Sequence, residues 1–315
     1  MMPLTGNVLA ALPLSAPALQ REVNHALDNK MTGLVMISFL PGEQLYILVR
    51  NGVVLQTYVK DQDGCRLDLE PWGERLQSDR VARLSIQHVP GRRLLFEKLI
   101  LETDEKNREK KQAVSTGSLP KLFTSIQDRE SASLVRIHWQ NAEAFVLVPG
   151  SGIPLRPAVF LAGSDPELDI FAIEQIEKWR EPECDLAIYR GGMENDAWRE
   201  LHLNVLFEWC CNYLLAQYGY LTGKIMVTSV MQSLLILSSQ RGWEISRLGS
   251  AVIDQTVFTS PAKAAEAYQE TLGLVSEHIR AVIGASLLQS IKRQSLGSMN
   301  AFYLGLEKTY SLFSI

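Results

Sequence analysis

The residues best suited to metal or nucleophile chemistry in this 315-residue chain are five histidines and four cysteines. His25, His88, His138, His202 and His278 stand far apart, and none joins another His or a Cys at ligand spacing. His202 precedes Cys210 and Cys211 on one expected helix by eight and nine residues, about two turns, too far for one ion. The histidines therefore read as surface or hydrogen-bonded residues. Adjacent cysteines form only a strained disulfide, so one thiol of Cys210-Cys211 is expected in a helical core and the other on its flank. With Cys65 and Cys184, and no C-x-x-C spacing, all four read as reduced thiols in a cytoplasmic protein.

Other short patterns read as turns. Pro149-Gly150-Ser151-Gly152 lacks the Gly-Lys-Ser/Thr end of a phosphate loop. Asp61-Gln62-Asp63-Gly64 begins like a calcium loop, but its glycine falls too early and no closing glutamate follows. There is no G-x-S-x-G elbow. Glu43 and Glu143 recur in matching contexts and read as water-facing residues beside hairpin turns. Arg92, Arg93 and Lys98 read as a charged, solvated strand edge. No catalytic, cofactor or metal set emerges. A net charge of −4 argues against broad phosphate binding, so no nucleic acid is expected as a partner. The N-terminal apolar stretch lacks a basic leader and is broken by Pro3, Pro13 and Pro17, and no run is apolar enough for a membrane span.

The elements around these residues carry the stronger signal, a β-hairpin pattern that occurs twice. Thr32–Val54 and Ala132–Pro154 align without a gap: Leu34 with Leu134, Val35 with Val135, Ile37 with Ile137 and Gly52 with Gly152. Gly33, Asn51, Gly52 and Gly152 are the structural turn residues, because such positions favour positive φ. Strands are expected over Leu34–Leu40, Gln44–Arg50, Val53–Val59, Val81–Val89 and Arg93–Leu101, after a helix over Ala18–Asn29. The second copy adds a helix over Leu119–Asp128, strands over Ser133–Gln140, Glu143–Val148 and Ile153–Leu161, a helix over Asp165–Lys178 and a strand over Leu186–Tyr189. Residues 193–315 show helical spacing without strand-like alternation, with Trp243–Val257 ambiguous. Ser260-Pro261 is a helix start.

The resulting fold class is α+β: two tandem related antiparallel-sheet modules with flanking helices, followed by an all-α helical bundle. The modules occupy residues 1–101 and 119–192, a charged and polar linker 102–118, and the bundle 193–315. Trp198, Trp209 and Tyr213, with Phe302, Leu306, Tyr310 and Phe313 near the end of the chain, are the candidate partner or ligand surface. They would otherwise form core, a ligand pocket or a homodimer face.

The opening Thr32-Gly33-Leu34, the strand Val35–Phe39 and the hairpin Val49-Arg50-Asn51-Gly52-Val53-Val54 resemble the N-terminal domain of PatA-type bacterial regulators, as does Leu4-Thr5-Gly6. The likeness covers residues 1–101. It implies a non-catalytic module of bacterial signalling proteins, often beside response-regulator or GTPase-regulating domains, and transfers no catalytic or cofactor residue. The expected function is a bacterial regulatory or scaffold protein that binds a protein partner, such as a response regulator or small GTPase. The alternatives are a sensor holding a small apolar ligand in the aromatic-rich bundle, or a roadblock- or longin-like partner of a small GTPase.

Overall fold

A computed structural model describes the chain except for residues 1–13, 40–41, 63, 77–81, 90, 104, 141, 152, 154–157, 163–168, 172–175, 177–180, 250 and 314–315. The architecture is α+β, with two antiparallel sheets followed by a mainly helical region. No described helix is long and apolar enough to cross a membrane. Two compact units form. One comprises Met1–Leu122, Leu134–Leu147 and Arg156–Gly191; the other comprises Phe123–Ser133, Val148–Leu155 and Gly192–Ile315. Both sheets lie chiefly in the first unit.

The first sheet is built from α1 (Ala16–Asp28), β1 (Gly33–Phe39), β2 (Gln44–Arg50), β3 (Val53–Asp61), β4 (Gly64–Asp68), α2 (Trp72–Arg75), β5 (Ala82–His88) and α3 (Gly91–Glu102). Its order is β4-β3-β2-β1-β5, antiparallel throughout. The β2–β3 connection is the expected two-residue turn, with Asn51 at φ 50° and Gly52 at φ 77°. A Cβ on Gly52 would lie 2.2 Å from the Leu27 carbonyl oxygen, so the turn seats tightly against the end of α1. Val35, Ile37, Leu45, Ile47 and Val49 pack with Leu19 and Val23 of α1 on one face. The other face meets α3, where the Tyr58 hydroxyl donates to Glu102 at 2.5 Å.

Helix α3 replaces the strand expected over Arg93–Leu101. Leu94, Leu95, Phe96 and Leu99 are buried, and so are Arg93 and Lys98. A helix enclosed on every side needs no polar face, so its sequence lacks the amphipathic period that betrays surface helices. The expected solvated basic edge of Arg92, Arg93 and Lys98 is corrected with it for Arg93 and Lys98, while the Arg92 side chain lies outside the described residues.

The second sheet repeats the plan. It comprises β6 (Arg108–Ser115), α4 (Leu119–Gln127), β7 (Ser133–His138), β8 (Ala142–Val148), β9 (Ala158–Ala162), β10 (Asp169–Phe171) and β11 (Glu183–Arg190), in the order β10-β9-β8-β7-β11-β6. In each copy a helix leads into a four-strand meander, and a fifth strand returns to pair beside the first. The match extends upstream. Leu14 bridges Ala82 at the start of β5, as Ser115 pairs with Glu183 at the start of β11.

Three expectations change here. Part of the linker over 102–118 is strand β6, whose charges suit a sheet edge facing water. The helix expected over Asp165–Lys178 contains β10 instead, and apart from Ile176 the rest of that range lies outside the described residues. The strand after the second hairpin begins at Ala158 rather than Ile153. The turn role of Gly152 also falls outside the described residues.

The second unit contains α5 (Asp196–Thr222), α6 (Lys224–Arg241), β12 (Ile245–Leu248), β13 (Ala251–Asp254), α7 (Pro261–Ile283), α8 (Ala285–Gly297) and α9 (Ala301–Tyr310). The Ser260 hydroxyl accepts from the Lys263 N–H at 3.3 Å and caps α7 as expected. The β12–β13 hairpin corrects the expectation of a region without strands. It is held by a polar ladder on α5. Asn212 exchanges hydrogen bonds with the Val252 backbone, at 2.7 and 3.0 Å. Glu208 accepts from the Asp254 N–H at 2.9 Å, and Glu200 from the Phe258 N–H at 2.6 Å. Asn204 donates to the Asp254 carboxylate at 3.1 Å, which also takes the Tyr268 hydroxyl at 2.6 Å.

The geometry of this ladder follows from two rises. Twelve helical residues, Glu200 to Asn212, advance about 18 Å. Six extended residues, Val252 to Phe258, advance about 20 Å. Side chains at i, i+4, i+8 and i+12 therefore stay in step with a strand running the other way.

Candidate functional site

The buried ionisable groups hold the fold together. In the first unit Glu143 accepts from the Arg93 guanidinium at 3.1 Å and also pairs with Arg136. Arg93 pairs in turn with Glu97 one turn along α3 and sits 3.9 Å over the Phe145 ring. Burial pushes the Glu143 carboxyl up, but the two guanidinium groups outweigh burial and hold it below the usual carboxylate range. Glu143 is thus an interior ion-pair residue and not a water-facing one. The ungapped alignment also slips here. Phe39 N–H bonds the Glu43 carbonyl, whereas Trp139 N–H bonds the Ala142 carbonyl. The second turn is one residue shorter, and Glu143 stands where Gln44 does.

In the second unit both Cys210 and Cys211 are fully buried, which corrects the core-and-flank expectation. No residue of α5 between Ala197 and Cys211 is exposed, and burial raises both thiols far above neutral pH. His202 is buried too, packed by Trp198, Phe302 and Tyr303 with ring centroids 4.7 to 6.1 Å away. Among the described residues no three His, Cys, Asp or Glu side chains gather as a metal site.

The aromatic surface candidates divide. Trp198, Leu306 and Phe313 are interior, while Trp209, Tyr213, Phe302 and Tyr310 are half-buried. Leu312 and Phe313 dock on their own unit. Glu307 accepts from the Leu312 and Phe313 N–H groups at 3.1 and 2.9 Å, and Lys292 donates to the Phe313 carbonyl at 2.6 Å.

An open feature of the first sheet lies at its margin. Strand β3 pairs with β2 along its full length, from Val53 to Lys60. Strand β4 covers it only from Thr57 to Asp61. At Asp68 the chain turns away. Arg75 clamps the Asp68 carboxylate through two hydrogen bonds of 2.6 and 3.1 Å, and the Glu70 N–H adds a third at 3.3 Å. Burial pushes this carboxyl up, yet the Arg75 hydrogen bond prevails and keeps it below its ordinary value. Pro71, which has no N–H to extend a ladder, then leads into α2.

The diverging chain leaves a cleft of about 400 Å³ beside Val54–Thr57, walled by Leu67, Leu69, Pro71 and Trp72. Leu69 is 89% exposed, Val53 62% and Leu67 48%. Chemically, this is an open half-edge of a sheet beside exposed apolar side chains. It can accept a strand through backbone hydrogen bonds and seat alternate apolar side chains. The neighbouring turn between Asp61 and Gly64 is legible in the sequence, and this cleft is not. Its only local signal is Leu67-Asp68-Leu69-Glu70-Pro71-Trp72, apolar residues alternating with acids ahead of a proline.

No protein-family model matches this chain, and no curated protein or solved structure is significantly similar to it.

Proposed function

We propose that this protein is a non-catalytic regulatory or scaffold protein that binds a protein partner, and that the first sheet takes up an extended segment of that partner beside β3. The carrying observation is the unmatched length of β3 and β4. Val53–Gln56 keep one edge open, and Leu67 and Leu69 stand beside it in water. Such edges are normally shortened, charged or covered, because they attract foreign strands. The occupant favoured is a segment with apolar residues at alternate positions, since only every second side chain faces one side of a strand. The likeness of residues 1–101 to the PatA-type domain supports a bacterial signalling setting, with a response regulator or small GTPase as the partner class.

The test uses the full chain to select peptides from a random displayed library, followed by amide hydrogen exchange on the best binder. The reading predicts peptides of alternating apolar pattern that slow exchange within Val53–Gln56. It also predicts at least tenfold weaker binding by Leu69→Asp. Peptides that protect only other segments, or whose affinity ignores Leu69→Asp, would contradict it.

A further inference from the structure

Helix α6 is unusual for a helix on the outside of its unit. Its eighteen residues run KIMVTSVMQSLLILSSQR, and no charged residue lies between Lys224 and Arg241. One side is buried, through Val230, Met231, Leu234 and Ser238. The opposite side is exposed at Ile225, Thr228, Ser229, Gln232, Ile236 and Ser239. Ile225 is 85% and Ile236 52% exposed. A helix facing water on that side would ordinarily carry Lys and Glu there. Depletion of charge with retained isoleucine is the composition of an interface centre.

The spacing narrows the occupant. Positions 225, 228, 232, 236 and 239 are all exposed and step by 3, 4, 4 and 3, helical spacings that keep them on one face and that read the same in either direction from Gln232. The sizes along that stripe are self-complementary about Gln232. Turning the helix antiparallel to a copy of itself, centred there, sets Ile225 against Ser239 and Ile236 against Thr228. Each large side chain then faces a small one, and the two Gln232 amides meet on the axis, where each can both donate and accept. Closed two-fold contacts require this kind of self-matching surface, and a partner of unrelated sequence would not. Tyr220 and Leu221, 88% and 47% exposed just ahead of α6, extend the apolar surface at its N-terminal end.

We infer that this chain forms a two-fold homodimer through antiparallel packing of α6 against α6 of a second copy.

Sedimentation of the full chain gives the first readout. The expected result is a particle of twice the 35.3 kDa chain mass at micromolar concentration. Ile225→Arg and Ile236→Arg, both at exposed positions, should shift this to the monomer while leaving the circular dichroism unchanged. Cysteine crosslinking in a Cys65→Ser background fixes the geometry. Gln232→Cys should crosslink to itself under mild oxidation. Ile225→Cys should crosslink only when mixed with Ser239→Cys. A monomeric wild type at 100-fold higher concentration would overturn the inference, as would a dimer indifferent to both arginines. Self-crosslinking of Ile225→Cys would show parallel packing and overturn it equally.

Discussion

The first and second sheets share the order of five strands and a helix ahead of the meander, yet they differ at their margins and in what their turns bury. Beside the second sheet, β6 runs the length of β11, from Arg108 to Ser115. The corresponding position in the first sheet shows a single described bridge, Leu14 to Ala82. At the matched position after the first turn, the first sheet carries Gln44, half-buried and accepting from the Tyr46 hydroxyl at 2.7 Å. The second carries Glu143, buried between Arg93 and Arg136. One topology thus carries a buried ionic centre in the second sheet and an apolar half-edge beside β3 in the first. The backbone plan recurs more strictly than the chemistry hung on it.

The sharpest way to break this comparison is to remove the ionic centre. Glu143→Ala leaves the buried Arg93 guanidinium with Glu97 alone and the half-buried Arg136 without its carboxylate, and should cost about 3 kcal/mol, read from the urea midpoint. Gln44→Ala, at the matched place in the first sheet, should cost no more than about 1 kcal/mol. Equal losses would mean that the two sites do the same work.

Next in size is the α5 ladder. Glu208→Ala leaves the buried Asp254 N–H without its acceptor and should cost about 1–3 kcal/mol, with faster amide exchange at Asp254.

The two buried carboxylates also answer pH in opposite directions. The folded Glu143 carboxyl titrates below its ordinary value of 4.5. Its stabilisation is therefore complete above the unfolded value and fades as pH falls through the folded one. Glu307 titrates above 4.5, because burial outweighs the Phe313 and Leu312 N–H donors and Lys292. Its contribution is complete below the unfolded value and fades as pH rises through the folded one. Melting curves between neutral pH and about pH 3 should show acid destabilisation that flattens in Glu143→Gln and persists in Glu307→Gln. At neutral pH Glu307→Gln should stay within about 1 kcal/mol of wild type.

The smallest effect belongs to the surface. Leu69→Asp should change stability by less than about 0.5 kcal/mol, which lets its effect on peptide binding be read without a folding defect.

The sequence made some elements legible and hid others for identifiable reasons. Helix α7 begins at Pro261 as read, because Ser260 and Pro261 are local start signals that no packing overrides. The hairpin at Asn51-Gly52 was equally local. Duplication was visible because Leu34, Val35 and Ile37 repeat at a fixed interval, although the one-residue difference in turn length displaced Glu143 in the alignment.

Helix α3 was hidden because burial on all sides erased its period. The pair Cys210-Cys211 misled for the same reason on α5. The i+4 polar ladder Glu200, Asn204, Glu208, Asn212 was written plainly in the sequence, but its partner strand had no signal of its own. The cleft beside β3 was illegible because it arises from the unequal lengths of two strands, a property of register rather than of residue type.

Amide hydrogen exchange across β3, with and without a library-selected peptide, tests the central claim most directly. The account predicts slowed exchange confined to Val53–Gln56 in the first sheet, unchanged rates throughout β7–β11, and loss of the effect in Leu69→Asp. Protection that appears in the second sheet instead, or that leaves Val53–Gln56 exchanging freely, would contradict it.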